Sequence, residues 1–96
     1  MPIYIAIPLQ NNAEKLSESV HRNFPGDSNK HNLQSNKGWL LEFDGTTIDL
    51  SNKLEVTGQA KGIASPVGSC IIIPVTGYYG RGSNDMWEWL KIKMED

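Results

Sequence analysis

The side chains best equipped for chemistry in this 96-residue chain are two histidines, one cysteine and eleven acids, with an aromatic-rich segment near the C-terminus. His21, His31 and Cys70 stand far apart, whereas a zinc site takes four ligands in close pairs, so neither a metal site nor a cofactor is assigned. Cys70 opens the apolar run Cys70-Ile71-Ile72-Ile73, where a thiol behaves as a small hydrophobe. A reactive cysteine needs exposure and a neighbouring base, and the run offers neither. Asp44 and Asp49 fall at turn and cap positions, where their ordinary work is to bond the backbone. Triads assemble in space rather than along a chain, so no spacing of serine, histidine and aspartate is informative. No catalytic residue is assigned.

Two features near the C-terminus compete with purely structural readings. Gly77-Tyr78-Tyr79-Gly80-Arg81-Gly82-Ser83 joins an apolar run to a helical pattern, as a phosphate-binding loop does. The spacing of Gly77 and Gly82 fits such a loop, but Ser83 stands where its lysine belongs, and Arg81 replaces that charge only in part. Backbone donors with Arg81 holding one anion is the weaker surviving reading; a tight glycine turn is the simpler one. Trp87 and Trp89 lie two residues apart and cannot share a helix face. Trp87 shares a stripe with Leu90 and is assigned to the core, which leaves Trp89 at the surface. Tyr78, Tyr79, Arg81 and Trp89 then have the composition of a binding surface, for a protein or for stacked bases. Packed aromatics capping the end of a sheet are the competing explanation.

These residues must be held by one domain spanning positions 1 to 96, since folded domains cluster near this size. Apolar residues make up 39% and charged residues 21%, a balance that supports a core. The net charge of −2 excludes a strongly basic protein that binds by neutralising phosphates, although a local basic patch stays open. Met1-Pro2-Ile3-Tyr4 begins without a basic stretch or a long apolar segment, so neither signal peptide nor membrane span is expected, and the cytoplasm is the expected location.

Ile3, Ile5 and Ile7 alternate with Tyr4, Ala6 and Pro8, which predicts a strand over 3–9 with a strongly buried face. Asn12 is placed as an N-cap, and Ala13, Leu16, Val20 and Phe24 recur at helical spacing until Pro25-Gly26. A weak strand at 31–34, a turn at 35–38 and a firm strand at 39–43 predict a hairpin. Asp44-Gly45 poses an ambiguity: it could turn into another strand over 46–50. Alternatively, Thr46 caps a short helix with Asp49 at its third position. Asn52 and Lys53 are poor strand residues, which favours the helix. Residues 55–69 read as a long mobile loop, and 70–76 as a central strand covered on both faces, with Pro74 in conflict. Asn84 or Asp85 is placed as the cap of a last helix, 86–94. The fold class is α+β, with the order β–α–β–β–α–β plus a C-terminal helix. That is a ferredoxin-like sandwich, an antiparallel sheet with helices on one face.

Gly38-Trp39-Leu40-Leu41, Gly77-Tyr78-Tyr79-Gly80 and Trp87-Glu88-Trp89-Leu90-Lys91, set in that order of elements, resemble small ferredoxin-fold proteins related to the CRISPR adaptation nuclease subunit. The resemblance implies the fold, dimerisation and nucleic acid as a partner. In nuclease members the first strand ends in an aspartate that binds a divalent metal; here it runs Ile7-Pro8-Leu9-Gln10-Asn11. Neutral amides are weak ligands for a hard cation, so nuclease activity is not carried over. The expectation is a non-catalytic interaction module, a homodimer joined through sheet edges or the aromatic C-terminal segment. The alternative is a nucleic-acid-binding relative using Lys37, Arg81 and Trp89. Metal-dependent cleavage, with Asp44 or Asp85 in place of the lost carboxylate, ranks last.

Overall fold

A computed structural model describes residues 1–95. Its elements are β1 (Ile3–Pro8), α1 (Ala13–Asn23), β2 (Lys30–Asn32), β3 (Trp39–Glu42), α2 (Thr47–Lys53), β4 (Cys70–Pro74) and α3 (Asn84–Met94), with one 3-10 turn at Gln34–Asn36. The four strands form one antiparallel sheet in the order β2-β3-β1-β4. The expected α+β class is met.

Alternation along the central strands builds two cores. Tyr4 and Ala6 of β1 and Trp39 and Leu41 of β3 turn to one face, where they meet Leu16, Val20 and Phe24 of α1 and Leu50 and Leu54 of α2. Ile3 and Leu40 turn to the other face and meet Leu90, with Met86, Trp89 and Met94, along α3. The sheet therefore has helices on both faces, and the expectation of a one-sided sheet is corrected. This arrangement explains why β1 and β3 read as nearly continuous apolar runs.

The same geometry corrects the reading of β4. It is an edge strand, and Ile71 and Ile73 are 43% and 41% exposed. Bonds from Val75 N to Ile3 O (2.8 Å) and from Leu9 N to Ser69 O (2.9 Å) fix the alternation of the ladder. Residues 69, 71, 73 and 75 turn their backbone groups toward β1, and 70, 72 and 74 turn theirs outward. Pro74 thus occupies a position whose missing N–H breaks no bond to β1, which resolves its conflict with a strand.

Local chemistry sets the other boundaries. Thr46 caps α2 in a complete capping box: its side chain accepts from Asp49 N at 3.1 Å, and the Asp49 carboxylate accepts from Thr46 N at 3.2 Å. The helix alternative for this segment is the one found. In the β2–β3 turn, Ser35 and Asn36 adopt left-handed backbone (φ 60° and 55°), and Leu33 N donates to Gly38 O at 2.9 Å. The weak strand lies at 30–32, just before its expected 31–34. Gly38 is buried, and a Cβ there would meet the Ala6 carbonyl at 2.6 Å, so only glycine lets β3 begin beside β1. Ser83, rather than Asn84 or Asp85, caps α3 by accepting from Met86 N.

Asn12 stands at the expected N-cap position of α1, where its carbonyl accepts from Leu16 N, but its side chain works elsewhere. Its side chain makes no cap bond to α1. Instead its amide nitrogen donates to Val67 O (2.9 Å) and Ser69 O (3.0 Å), while its oxygen accepts from Gln10 N. Segment 55–69 contains neither helix nor strand, yet Val67 is 2% exposed within the first core and Ser65 accepts from Val67 N and Gly68 N. Asn12 and Val67 together fix the point where the chain enters β4.

Candidate functional site

The β4–α3 connection brings three of the four predicted site residues together. Tyr78, Tyr79 and Arg81 rim a groove of about 340 Å³ whose walls are Ile5, Leu40 and Val75 from the sheet and Met86, Trp87 and Leu90 from α3. The groove lies where glycine-rich residues 77–82 lead from β4 back to α3. Its volume lies at the small end of the range for ligand sites, about 300–1,000 Å³. Among the described residues the lining contains no carboxylate, imidazole, thiol or amine, and Arg81 is the one fixed charge there. Chemically it can shelter an apolar group; it offers no general base.

Tyr79 is fully exposed. Tyr78 is half-buried, its ring centroid 5.5 Å from that of Trp87, and its hydroxyl donates to the Glu95 carboxylate. A second hollow of about 580 Å³ shares Tyr78, Tyr79 and Trp87 with the groove and is edged by Lys91 and Glu95. The tryptophan assignments are exchanged. Trp89 packs in the second core, 6.1 Å from the His31 ring, with Lys93 Nζ 5.8 Å from its centroid. Trp87 is the one that faces the groove. Counted from Leu90 at about 100° per residue, Trp87 lies about 60° to one side and Trp89 about 100° to the other, so the helical wheel alone would favour Trp87. The helix α3 is seated with the flank that carries Met86 and Trp89 against the sheet. Lys37 lies in the β2–β3 turn and does not line the groove.

A second surface was missed by residue type and emerges from the topology. Along the outer edge of β4, Ile71 and Ile72 share a groove of about 260 Å³ with Ile48 of α2, itself 72% exposed. Ile71 and Ile73 pair with Ile7 and Ile5 and so belong to the α3 face of the sheet, beyond the reach of α3. A usable signal was present in the chain: residues 56–80 carry a single charge, Lys61. The opposite edge strand, β2, reads Lys30-His31-Asn32 and is only three residues long.

Cys70 lies at the start of this edge, half-buried, with Asn12 donating to its sulfur at 3.6 Å. Burial pushes its thiol above 9.0, and the Asn12 contact offsets this in part. Among the described residues no group of three or more histidines, cysteines or acids could hold a metal ion, and no helix is long and apolar enough to cross a membrane. No protein-family model matches the sequence, and no curated protein or solved structure matches it either.

Proposed function

We propose that this chain is a non-catalytic interaction module that works as a homodimer, joined through the outer edge of β4. The observation that carries the reading is the contrast between the two sheet edges. Unprotected edges invite pairing, and monomeric proteins blunt them with lysine, short strands or bulges. β2 is blunted in this way by Lys30 and by its length. β4 is longer, bears no charge, and presents Ile71 and Ile73 to solvent, with Ile48 of α2 exposed beside it. Light scattering during gel filtration tests it. The expected mass approaches twice the 10.7 kDa of one chain as concentration rises, and Ile73→Lys returns the protein to monomer with its circular dichroism unchanged. A strict monomer up to about 1 mM, the concentration that corresponds to roughly 4 kcal/mol of association, removes the dimer.

The architecture behind this reading is ferredoxin-like. Its support is the order β–α–β–β–α–β with β1 and β3 in the centre and β2 and β4 at the edges, the layout that two interleaved split β–α–β halves produce. Kinship with the CRISPR adaptation nuclease subunit rests on that layout and on the tryptophan-bearing segments. A nucleic-acid role is the second reading, favoured by the exposed Tyr79 ring beside Arg81. The acidic Asp85, Glu88 and Glu95 on the adjoining helix surface oppose it. Salt-sensitive binding of single-stranded DNA or RNA, lost in Tyr79→Ala and Arg81→Ala, would establish it. One unpaired, half-buried thiol accords with action in the reducing cytoplasm.

A further inference from the structure

The edge of β4 also specifies how two copies pair, an inference that rests on the dimer proposed above. Three residues, 70, 72 and 74, turn their backbone outward, and the third is Pro74, which has a carbonyl but no N–H. A twofold axis across two such strands makes them antiparallel and permits two central registers. If the axis passes Ile72, Ile72 bonds its own copy, and Cys70 faces Pro74 of the second copy. Each Cys70 N–H then finds a carbonyl, but each Cys70 carbonyl faces a pyrrolidine ring. If the axis passes Ile71, Cys70 faces Ile72 of the second copy, and both N–H and both carbonyl groups of that pair are bonded. Pro74 then falls outside the paired core.

The two registers make four backbone bonds apiece, so the choice turns on what each leaves over. The Ile72-centred register buries two carbonyls without donors, and each unpaired buried acceptor is penalised far more than a cross-strand isoleucine pair gains. It does match Ile71 with Ile73 of the second copy on the exposed face, whereas the Ile71-centred register brings Ile71 against itself and leaves Ile73 a diagonal contact. The polar term is the larger, and it decides the register.

We propose that Pro74 sets the pairing: two copies join β4 to β4 about an axis at Ile71, giving one continuous eight-stranded antiparallel sheet. The paired strands meet Ile71 to Ile71 on the α3 face of the sheet, while Cys70 of one copy lies beside Ile72 of the other on the α1–α2 face. Sheets of eight strands are well within the observed range.

Single-cysteine variants in a Cys70→Ser background test the register, since residues on the axis face themselves at disulfide distance. Under mild oxidation, Cys70→Ser/Ile71→Cys is expected to become a disulfide-linked dimer at least tenfold faster than Cys70→Ser/Ile72→Cys. Adding Pro74→Val to the Ile72→Cys variant restores the missing donor and is expected to raise its cross-linking several-fold. Preferential cross-linking at position 72 in the parent background, in protein that light scattering shows to be dimeric, would overturn the register and leave the dimer standing. A monomer by light scattering removes both. Ile72 packs against the first core, so thermal unfolding of each variant is followed in parallel. Should Ile72→Cys not fold, the exposed positions decide: mild oxidation of mixed Cys70→Ser/Ile71→Cys and Cys70→Ser/Ile73→Cys proteins is expected to give chiefly the 71–71 dimer, and a dominant 71–73 heterodimer overturns the register.

Discussion

Replacing Asn12 separates two accounts of one residue, because asparagine at the start of a helix is ordinarily a cap and here is a clamp. Its amide nitrogen holds the Val67 and Ser69 carbonyls at 2.9 and 3.0 Å. Val67 is 2% exposed, so Asn12→Ala strands its carbonyl at a cost of about 1–3 kcal/mol; Ser69 is exposed, and its carbonyl recovers water for a net loss of about 0.5–1.5 kcal/mol. The expected total, about 1.5–4.5 kcal/mol, is a large share of the roughly 5–15 kcal/mol typical of a folded domain. For a chain of this size, at about 4–8 °C per kcal/mol, it lowers the melting temperature by about 6–36 °C. Urea and thermal unfolding followed by circular dichroism give both quantities. The decisive variant is Asn12→Asp. Aspartate is as good a cap as asparagine, so a capping role predicts little change. A carboxylate cannot donate to two carbonyls and instead repels them, so the clamp predicts a loss at least equal to that of alanine. Asn12→Asp within about 0.5 kcal/mol of the parent at pH 7 would refute the clamp.

Ser19 is fully buried and donates to the Leu54 carbonyl at 2.6 Å, so Ser19→Ala should destabilise by about 1–3 kcal/mol in the same assays. Thr46→Ala removes one arm of the capping box and should cost about 1 kcal/mol, measured by chemical denaturation. The Arg22–Glu55 pair is exposed on both sides, and Arg22→Ala should change stability by less than about 0.5 kcal/mol. The folded Cys70 thiol ionises above 9.0, so its contribution is complete below that pH and is lost as pH rises through the folded value. Stability should therefore fall more steeply above pH 9 in the parent than in Cys70→Ala, and alkylation of Cys70 at pH 8 should be slow until the protein unfolds.

What the chain made legible was local. Thr46 and Asp49 sit three residues apart and close the same capping box whatever surrounds them, and Leu16, Val20 and Phe24 form one stripe by helical period alone. Apart from the cap of α3, which is Ser83 in place of its neighbours Asn84 and Asp85, the misread positions depend on partners far away in sequence. Asn12 looks like a cap until Val67 and Ser69, more than fifty residues on, draw its amide away. Cys70 to Pro74 is apolar enough for a central strand, but a strand's rank in a sheet is set by the other strands, and only Pro74 hinted at an edge. Trp87 and Trp89 were separable in principle, yet a shared stripe with Leu90 does not reveal which flank of the helix the sheet covers. Of the predicted surface, Tyr78, Tyr79 and Arg81 converge because they are neighbours in the chain, whereas Trp89 is held away by the helix's rotation.

The two cores are unequal partners. Among the described residues, ten buried ones bind α1 and α2 to the sheet, but only Ile3, Leu40 and Leu90 are buried between the sheet and α3, supported by the Lys93–Glu42 ion pair at 3.0 Å. A segment held so lightly opens at lower free energy than the body to which it is attached. Amides of α3 should exchange with deuterium ahead of those of α1 at neutral pH. Each such opening uncovers the apolar underside of β1 and β3 while the remainder stays folded, so the molecule's first step toward aggregation is the departure of its last helix.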